Sequence, residues 1–465
     1  MSLIKSISGF RGTIGGVAGS NLTPQDIVEC TAAFGYLLQQ QGATPKVVIG
    51  RDARISGQMV SQLVSATLNG LGIDVIDLGL STTPTVEVAV PGLGAGAGII
   101  ITASHNPKEW NALKFLNSKG EYIAKSDGER LLELLSEGAI RYADVMDLGT
   151  YEMQDGWIDK HIDLILGMDT VDAEVIRKRS FKVVVDPVNS TGALAVPALL
   201  ERLGCETIVI NETPNGEFAH NPEPLPHHLK DLSNKVRETG ADLGISVDPD
   251  VDRLALVSED GEMFGEEYTL VAVADYLLQR TPGNTVSNLS STRALRDVTE
   301  RYGGTYYASA VGEVNVVEKM KEVDAVIGGE GNGGIIFPGL HYGRDALVGI
   351  ALILTHLAKT GKSMSELRAD YPDYQMVKDK IESPEGIDLD VILDQMHQKY
   401  HTEDCNTVDG LKIDFPDSWV HLRRSNTEPI IRIYAEAPTM ERAKELVLRI
   451  KTDLDLVLSG ATAIS

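Results

Sequence analysis

A serine at the end of an apolar run is the first side chain in the sequence that is placed for chemistry. The segment Gly98–Pro107 carries a predicted buried strand into a polar loop, and Pro107 prevents a regular continuation. Ser104 therefore lies where α/β folds place reactive groups, although the same residues also suit an ordinary turn. His105 is a poor general base for Ser104, because adjacent side chains of an extended chain point in opposite directions. A hydrolase built on these two residues is not favoured.

Three alternating carboxylates form the second candidate group. Asp248, Asp250 and Asp252 lie between two apolar runs, and carboxylates this close repel one another unless a cation neutralises them. Carboxylate oxygens favour a hard cation as ligand partner, and Mg²⁺ is the cation that we expect here. An EF-hand is excluded, because Arg253 stands where its loop requires glycine, although Glu259 falls at its last ligand position. The sequence therefore predicts a magnesium site here.

Two further loops carry groups that suit a phosphorylated sugar. The glycine-rich segment Gly328–Gly334 contains Glu330 and Asn332, whose polar atoms suit hydroxyl groups. The segment Arg423–Arg432 gathers guanidinium groups, hydroxyls and an amide, which are the donors that a phosphate dianion requires. Cations nearer the N-terminus add further candidates, namely Arg11, Arg51 and Arg54.

The net charge limits the kinds of partner that the protein can bind. The 465 residues include 42 lysines and arginines against 67 aspartates and glutamates, a formal net charge of −25. So acidic a surface repels nucleic acid and anionic lipid, and we expect neither nucleic acid nor membrane as a partner. Three distant cysteines, the lack of an apolar signal segment and the lack of a long apolar run together indicate a cytoplasmic protein.

The elements that must position these loops repeat along the chain. An apolar run, a helical segment and a second apolar run recur three times, beginning at Lys46, Lys182 and Thr285. This alternation is typical of βαβ units and predicts three similar α/β domains. The C-terminal stretch instead has strand-like runs before a long helix, which favours a smaller α+β domain. The predicted domains are 1–150, 151–254, 255–368 and 369–465.

Together, the four loops resemble those of the α-D-phosphohexomutases. Thr102–Pro107, Asp248–Arg253, Gly329–Gly333 and Arg423–Pro429 occur in that family's order and approximate spacing, and the similarity covers essentially the whole chain. The family has three mixed-sheet α/β domains around a central cleft and a smaller C-terminal α+β domain, in agreement with the repeats. The resemblance implies an isomerase that interconverts hexose 6-phosphate and hexose 1-phosphate through a phosphoserine and a 1,6-bisphosphate.

The resemblance also implies a role for each loop. Ser104 would carry the phosphoryl group, with a sugar 1,6-bisphosphate as activator. One Mg²⁺ ion would be held by Ser104, Asp248, Asp250 and Asp252. Glu330 and Asn332 would hold the hydroxyls of the hexose phosphate. The phosphate that is not reacting would be bound by Arg423, Ser425, Asn426, Thr427 and Arg432.

Charged residues near the serine complete the predicted site. A serine hydroxyl needs a base, and the family places a lysine shortly after the serine loop, which matches Lys114. Proton transfer by Lys114 would require a lowered pKa among neighbouring cations. Arg11, Arg51 and Arg253 would neutralise the transferring phosphate, and His105 would shape the serine loop.

Two departures from the family pattern concern the sugar. Many members end the glycine-rich motif in histidine where this chain has Gly334, and Val311–Val314 lacks a lysine or arginine that some members carry. This form of the motif most resembles phosphoglucosamine mutases and a branch of phosphomannomutases. Glucosamine phosphate is therefore the expected substrate, with phosphomannomutase or phosphoglucomutase activity as the alternative. A metal-dependent phosphatase and a non-catalytic sugar-phosphate sensor are alternatives from other classes, and both a monomer and a homodimer are compatible with the sequence.

Overall fold

The chain forms two units in the computed structural model, which describes residues 2–6, 9–138, 140–382, 388–424 and 430–462. The first unit comprises Met1–Leu277 and Asn332–Arg368. The second comprises Leu278–Gly331 and Ala369–Ser465. Among the described helices, none combines the length and the apolar character that crossing a membrane requires.

The N-terminal sheet of the first unit carries the serine loop. Its strands are β1 (Ile4–Ser6), β2 (Gly9–Thr13), β3 (Lys46–Arg51), β4 (Asp74–Leu80), β5 (Ala97–Ile101), β6 (Trp110–Leu116) and β7 (Tyr151–Met153). They lie in the order β1-β2-β6-β5-β3-β4-β7, in which β5, β3, β4 and β7 are parallel and the remaining pairs are antiparallel. The accompanying helices are α1 (Pro24–Gln40), α2 (Gly57–Gly70), α3 (Thr83–Gly92) and α4 (Lys125–Glu137).

Local sequence explains these elements. Helix α1 begins with a capping box between Thr23 and Asp26, and Pro24 occupies its first turn. Strands β3 and β5 are apolar runs buried on both faces, as parallel strands covered by helices require. The predicted strand from Lys46 and the helix that follows it are confirmed as β3 and α2.

The second sheet carries the aspartates. Its strands are β8 (Lys182–Asp186), β9 (Glu206–Val209), β10 (Leu243–Val247) and β11 (Leu254–Ser258), in the order β11-β10-β8-β9. Its helices are α5 (Trp157–Leu166), α6 (Ala173–Arg179), α7 (Gly192–Arg202) and α8 (Lys230–Thr239). Strands β10 and β11 are antiparallel, with Val247 opposite Leu254. The aspartate segment is therefore the turn of a hairpin.

The third repeat is divided between the two units. Its strands are β12 (Asn284–Asn288), β13 (Tyr306–Ser309), β14 (Ala325–Glu330) and β15 (Gly334–Ile336). Its helices are α9 (Glu266–Arg280), α10 (Ala294–Arg301), α11 (Glu313–Glu322), α12 (Ala346–Thr360) and α13 (Met364–Ala369). In the second unit β13, β12 and β14 are parallel neighbours, which confirms the third predicted βαβ unit as β12-α10-β13.

The C-terminal sheet is wholly antiparallel, as predicted. Its strands are β16 (Gln375–Glu382), β17 (Asp404–Asn406), β18 (Leu411–Asp414), β19 (Trp419–Arg424) and β20 (Ile430–Ala437), in the order β16-β20-β19-β18-β17. Its helices are α14 (Leu389–Lys399) and α15 (Met440–Thr462). The predicted strands correspond to β18, β19 and β20, whereas β16 and β17 had no prediction because their sequences are largely polar. The predicted fold class, three α/β domains and a C-terminal α+β domain, is confirmed.

Candidate active site

Ser104 lies in the loop that follows β5, at the carboxyl end of a buried strand. Its backbone is left-handed, with a φ of 48°, and the residue is buried. The Ser104 amide donates to Thr102 Oγ1 at 2.9 Å, and that hydroxyl donates to the Asp52 carboxylate at 2.7 Å. A left-handed non-glycine residue is uncommon, and such strain is concentrated at functional sites.

The Arg54 guanidinium fixes the path of the serine loop. It is paired with Asp52 at 3.0 Å, and both side chains are fully buried. It also donates to four carbonyl oxygens, those of Ser104 at 2.5 Å, Asn106 at 2.6 Å, Pro107 at 2.6 Å and Trp110 at 2.9 Å. Arg54 is therefore engaged with the loop backbone, whereas the sequence offered it only as one of several cations for a phosphate.

His105 approaches Ser104, and the prediction that these adjacent side chains point apart is wrong. Ser104 Oγ lies 3.3 Å from His105 Nδ1, because the left-handed backbone at Ser104 replaces the extended geometry that the prediction assumed. Burial, reinforced by Arg253 and Arg344, lowers the pKa of His105 to about 2. So weak a base can shape the loop but cannot take the serine proton.

The hairpin turn between β10 and β11 gathers Asp248, Asp250 and Asp252. All three are fully buried, and potential ligand oxygens of the three lie within 4.8 Å of one another. Val251 has a left-handed φ of 65°, and Asp248 Oδ1 accepts hydrogen bonds from the amides of Asp252 and Arg253 at 3.1 Å each. These backbone contacts close the turn and bring the carboxylates together.

The serine, the lysine and the hairpin form one contiguous group. Ser104 Oγ donates to Asp248 Oδ2 at 2.7 Å. Lys114 of β6 donates to Asp250 Oδ2 at 2.9 Å and lies 3.8 Å from Asp252 Oδ2. The predicted nucleophile, proton carrier and metal ligands are therefore brought together within the first unit.

The carboxylates of the hairpin differ in their electrostatics. Burial, followed by the charges of Asp252 and Asp250, raises the pKa of Asp248 well above its ordinary value. Burial also acts to raise the pKa of Asp250, but Lys114 and the Thr83 hydroxyl outweigh it and hold that pKa below its ordinary value. Asp250 Oδ1 and Asp252 Oδ1 are buried and have no hydrogen-bond partner among the described residues. Such oxygens suit a hard divalent cation, which would also relieve the repulsion.

The prediction of a lowered pKa for Lys114 is wrong in this arrangement. Burial lowers the pKa, but Asp250 and other anionic neighbours outweigh burial, so the pKa stands well above its ordinary value. The prediction assumed cations as neighbours, whereas the closest charged atoms are carboxylate oxygens. Lys114 is therefore a charged hydrogen-bond donor here.

Arg344 is a second cation of this group, and the sequence analysis missed it. Its Nη2 donates to Asp252 Oδ2 at 2.6 Å, whereas the predicted cation Arg253 has its Nε 3.9 Å from Asp252 Oδ1. A Cβ atom on Gly334 would lie 2.4 Å from Arg344 Cδ, so this arginine fills the space that a side chain at position 334 would need. The available signal was Gly334 itself, because a side chain missing from a motif leaves room for another residue.

In the second unit, predicted sugar-binding and phosphate-binding residues are linked through one short loop. Glu330 Oε1 accepts a hydrogen bond from the Gly312 amide at 3.2 Å. Arg423 Nε is paired with Asp409 Oδ2 at 2.9 Å, and the same oxygen accepts from the Val311 amide at 3.0 Å. Val311 and Gly312 therefore connect the two groups, and Asp409 is a further residue that the sequence analysis missed.

The remaining predicted residues lie on other strands and loops. Arg432 lies opposite Arg423 in the β19–β20 register. Arg11 is exposed on β2 opposite Ala112 of β6, and Asn332 Oδ1 accepts from the Gly334 amide at 3.2 Å. Ser425, Asn426 and Thr427 lie outside the described residues.

Four sequence models of one family match most of the chain. They describe phosphoglucomutase/phosphomannomutase alpha/beta/alpha domains I, II and III and the C-terminal domain. The matches cover residues 4–139, 159–261, 265–374 and 374–452, respectively.

Individual proteins are similar over nearly their full length. A phosphoglucomutase/phosphomannomutase of Thermococcus kodakarensis is 38% identical over 97% of this chain and 99% of the relative. A protein of Methanopyrus kandleri named "Probable phosphoglucosamine mutase" is 36% identical over 94% of this chain and 95% of its own. A phosphoglucosamine/phosphogalactosamine mutase of Sulfurisphaera tokodaii is 32% identical over 94% of this chain and 96% of its own.

A solved structure shares the fold. The crystal structure of a phosphoglucomutase/phosphomannomutase family protein from Burkholderia thailandensis superimposes with a TM-score of 0.84 at 26% sequence identity. The match covers 99% of this chain and 97% of that structure.

Proposed function

The chain belongs to the phosphoglucomutase/phosphomannomutase family, and on this premise we propose that it interconverts glucosamine 6-phosphate and glucosamine 1-phosphate. It is a phosphohexomutase, an isomerase that transfers a phosphoryl group between two hydroxyls of one sugar. The amino sugar is supported by the names of the Methanopyrus and Sulfurisphaera relatives and by Gly334 in the glycine-rich motif. Glucose or mannose phosphate is the second candidate, supported by the name of the Thermococcus relative.

The hydrogen bond between Ser104 Oγ and Asp248 is the observation that carries the phosphoserine mechanism. It places the hydroxyl that would hold the phosphoryl group against the carboxylates that would bind Mg²⁺. Asp248, Asp250, Asp252 and the oxygen of Ser104 would hold this ion. When bound, Mg²⁺ supplies positive charge that offsets the negative charge of the phosphoryl oxygens.

In the first half-reaction, the phosphoryl group on Ser104 passes to the free hydroxyl of the hexose monophosphate. The bond between phosphorus and Ser104 Oγ breaks, and a bond between phosphorus and the sugar oxygen forms. The sugar hydroxyl releases its proton to water, and Lys114, which enters the reaction charged, supplies a proton to Ser104 Oγ. The second half-reaction transfers the other phosphate of the bisphosphate to Ser104 and reverses both proton transfers.

The remaining residues bind and orient the substrate in this proposal. Arg11, Arg253 and Arg344 neutralise the transferring phosphate, and His105 holds the serine loop. Glu330 and Asn332 bind sugar hydroxyls. The distal phosphate is bound by Arg423, Ser425, Asn426, Thr427 and Arg432. A sugar 1,6-bisphosphate activates the enzyme by phosphorylating Ser104, and we place the reaction in the cytoplasm.

Parallel kinetics on glucosamine, glucose and mannose 6-phosphates test the proposal. With Mg²⁺ and a trace of the matching 1,6-bisphosphate, we expect kcat/KM to be about 10-fold or more higher for glucosamine 6-phosphate. Preference for another sugar would reassign the substrate and leave the mechanism intact. Release of inorganic phosphate without the isomeric product would establish a phosphatase, and binding without turnover a sensor.

A further inference from the structure

A second cluster of potential metal ligands lies in the first unit and shares no residue with the aspartate hairpin. It consists of His161 on α5, His341 in the loop before α12, and Asp345, the N-cap residue of α12. One donor atom from each lies within 4.8 Å of the other two. The His161 and Asp345 side chains are completely buried, and that of His341 is 10% exposed.

Asp345 presents one oxygen to both imidazoles. Its Oδ1 accepts hydrogen bonds from the amides of Leu347 and Val348 at the start of α12, at 2.8 and 3.3 Å. Its Oδ2 lies 3.0 Å from His161 Nε2 and 3.3 Å from His341 Nε2. Two ligand atoms of a tetrahedral zinc site lie about 3.3 Å apart, because each is about 2.0–2.1 Å from the metal. The two separations from Asp345 Oδ2 are therefore close to the edge length of such a tetrahedron.

A polar atom lies close to the opposite nitrogen of each imidazole. His341 Nδ1 lies 3.3 Å from Glu87 Oε2, and His161 Nδ1 lies 3.1 Å from Thr85 Oγ1. A neutral His341 whose Nδ1 proton is directed toward the Glu87 carboxylate turns its Nε2 lone pair toward Asp345 Oδ2. A carboxylate or hydroxyl behind a ligating histidine is a recurrent feature of metal sites, since it fixes the tautomer.

Either a proton or a metal ion can join each imidazole to the Asp345 carboxylate. With Nδ1 of His341 protonated, the Nε2 lone pair and the Asp345 Oδ2 lone pairs repel one another unless a proton or a metal ion lies between them. A proton on each Nε2 gives two separate hydrogen bonds to Oδ2, whereas a metal ion would bind both Nε2 atoms and Oδ2 together. A divalent ion would also offset the two buried carboxylates that face His341.

A cavity gives the cluster a path to solvent. It has a volume of about 720 Å³ and is lined by His341 and its loop neighbours Phe337 and Tyr342, among others. An ion could enter from this side, and a water molecule from the cavity could complete a four-coordinate shell.

We propose that His161, His341 and Asp345 bind one transition-metal ion, Zn²⁺ in preference to Mg²⁺. Imidazole nitrogen suits zinc, whereas the all-oxygen hairpin suits magnesium, so the two sites select different metals. The ion links α5, through His161, to the start of α12, through Asp345. It thereby positions Arg344, which precedes Asp345 and donates to Asp252.

Cobalt substitution in the full-length protein tests the site. Protein stripped of metal by a chelator is titrated with Co²⁺ while excess Mg²⁺ occupies the aspartate hairpin. We expect one equivalent of Co²⁺ to bind with the intense visible absorption of four-coordinate cobalt, and one equivalent of Zn²⁺ to abolish that absorption. Failure to bind Co²⁺, or only the weak spectrum of six-coordinate cobalt, would overturn the proposal without any variant.

Variants then assign the ligands. His161→Gln and Asp345→Asn are each expected to lose the cobalt spectrum, and Glu87→Gln to weaken Zn²⁺ binding about 10- to 100-fold. His220→Gln is the matched control, because His220 pairs with one carboxylate, that of Asp186, at 3.0 Å. His220→Gln and Asp248→Asn should both keep the spectrum. Its retention in His161→Gln, or its loss in Asp248→Asn, would place the cobalt elsewhere and refute the assignment.

Discussion

Ser104 Oγ donates a hydrogen bond of 2.7 Å to Asp248 Oδ2, across 144 residues of sequence. Each side of this contact is held by backbone geometry. Arg54 binds the carbonyl oxygens of the serine loop, and the left-handed Val251 closes the aspartate turn. The contact therefore depends on two local conformations that side chains elsewhere maintain.

Replacing Ser104 by alanine should abolish turnover while preserving the fold. Among the described residues the hydroxyl makes only two hydrogen-bond contacts, with Asp248 and His105, so we expect the unfolding free energy to change by about 1–2 kcal/mol. Mutase turnover should fall at least about 10³-fold, because the proposed mechanism passes the phosphoryl group through the Ser104 hydroxyl. A coupled mutase assay and thermal unfolding measure both. Ser136→Ala, on the exposed face of α4, is the control, and near-normal turnover in Ser104→Ala would refute a phosphoserine mechanism.

Replacing Arg54 by lysine should impair catalysis through the loop. An ammonium group cannot reproduce the planar set of donors that reaches four carbonyl oxygens, so Ser104 should lose its fixed orientation. We expect kcat to fall about 10²-fold with a smaller change in KM, since the residue positions the reacting oxygen. Arg177→Lys is the control, because Arg177 also binds a carbonyl oxygen, that of Arg202, but on the surface. An unchanged kcat would show that the loop holds its conformation without Arg54.

Introducing a histidine at position 334 should lower the kcat/KM of this enzyme. The new side chain would collide with Arg344 and displace it from Asp252, which we expect to lower kcat/KM about 10²-fold. Arg344→Ala should lose a similar amount, and adding Gly334→His to it should cost little more, because both changes remove one interaction. Steady-state kinetics of the parent protein, the two single variants and the double variant give the coupling free energy between positions 334 and 344. Gly70→His, whose Cβ would lie 3.5 Å from its nearest neighbour on Tyr142, is the steric control, and full additivity would contradict the prediction.

Magnesium should stabilise the protein through the hairpin. At 100 times its dissociation constant, Mg²⁺ should raise the unfolding free energy by about 2.7 kcal/mol. Asp252→Asn should greatly reduce this increment, because it removes a charge from the buried cluster. Unfolding measured across a Mg²⁺ titration tests this, with Asp260→Asn in the exposed turn after β11 as control. An equal increment in Asp252→Asn would place the magnesium elsewhere.

Lowering the pH should destabilise the C-terminal sheet through protonation of His421. Burial, aided by Lys412 and opposed by the bond to the Asp409 carbonyl, lowers the pKa of His421 to about 4. An unfolded histidine has a pKa of about 6.5, so the unfolded state binds the proton first as the pH falls. The stability present above about pH 6.5 is therefore lost towards pH 4, by about 3 kcal/mol.

Hydrogen exchange of peptides covering β19 measures this loss. In His421→Gln the difference in opening free energy between pH 7 and pH 4.5 should shrink, whereas it should persist in His401→Gln, whose imidazole is exposed. The same pH difference in the His421 variant and the parent protein would assign the effect to other groups.

The sequence by itself determined the reactive loops and the class of fold. Ser104 and the three aspartates were identifiable because each follows an apolar run, and burial of such a run forces the polar residues after it to the end of a strand. The repeated βαβ pattern and the C-terminal strands are local in the same sense, because the period of the apolar residues selects the element.

Only the tertiary structure decided which charges meet. Lys114 faces carboxylates rather than cations, Arg344 fills the space at Gly334, and His161 meets Asp345 across 184 residues. His105 turned toward Ser104 because of one left-handed residue, which the pattern of residue types does not encode. A pKa, a steric fit or a metal site depends on distances of a few ångströms between segments far apart in the chain. Packing of the domain cores fixes those distances, and local sequence does not.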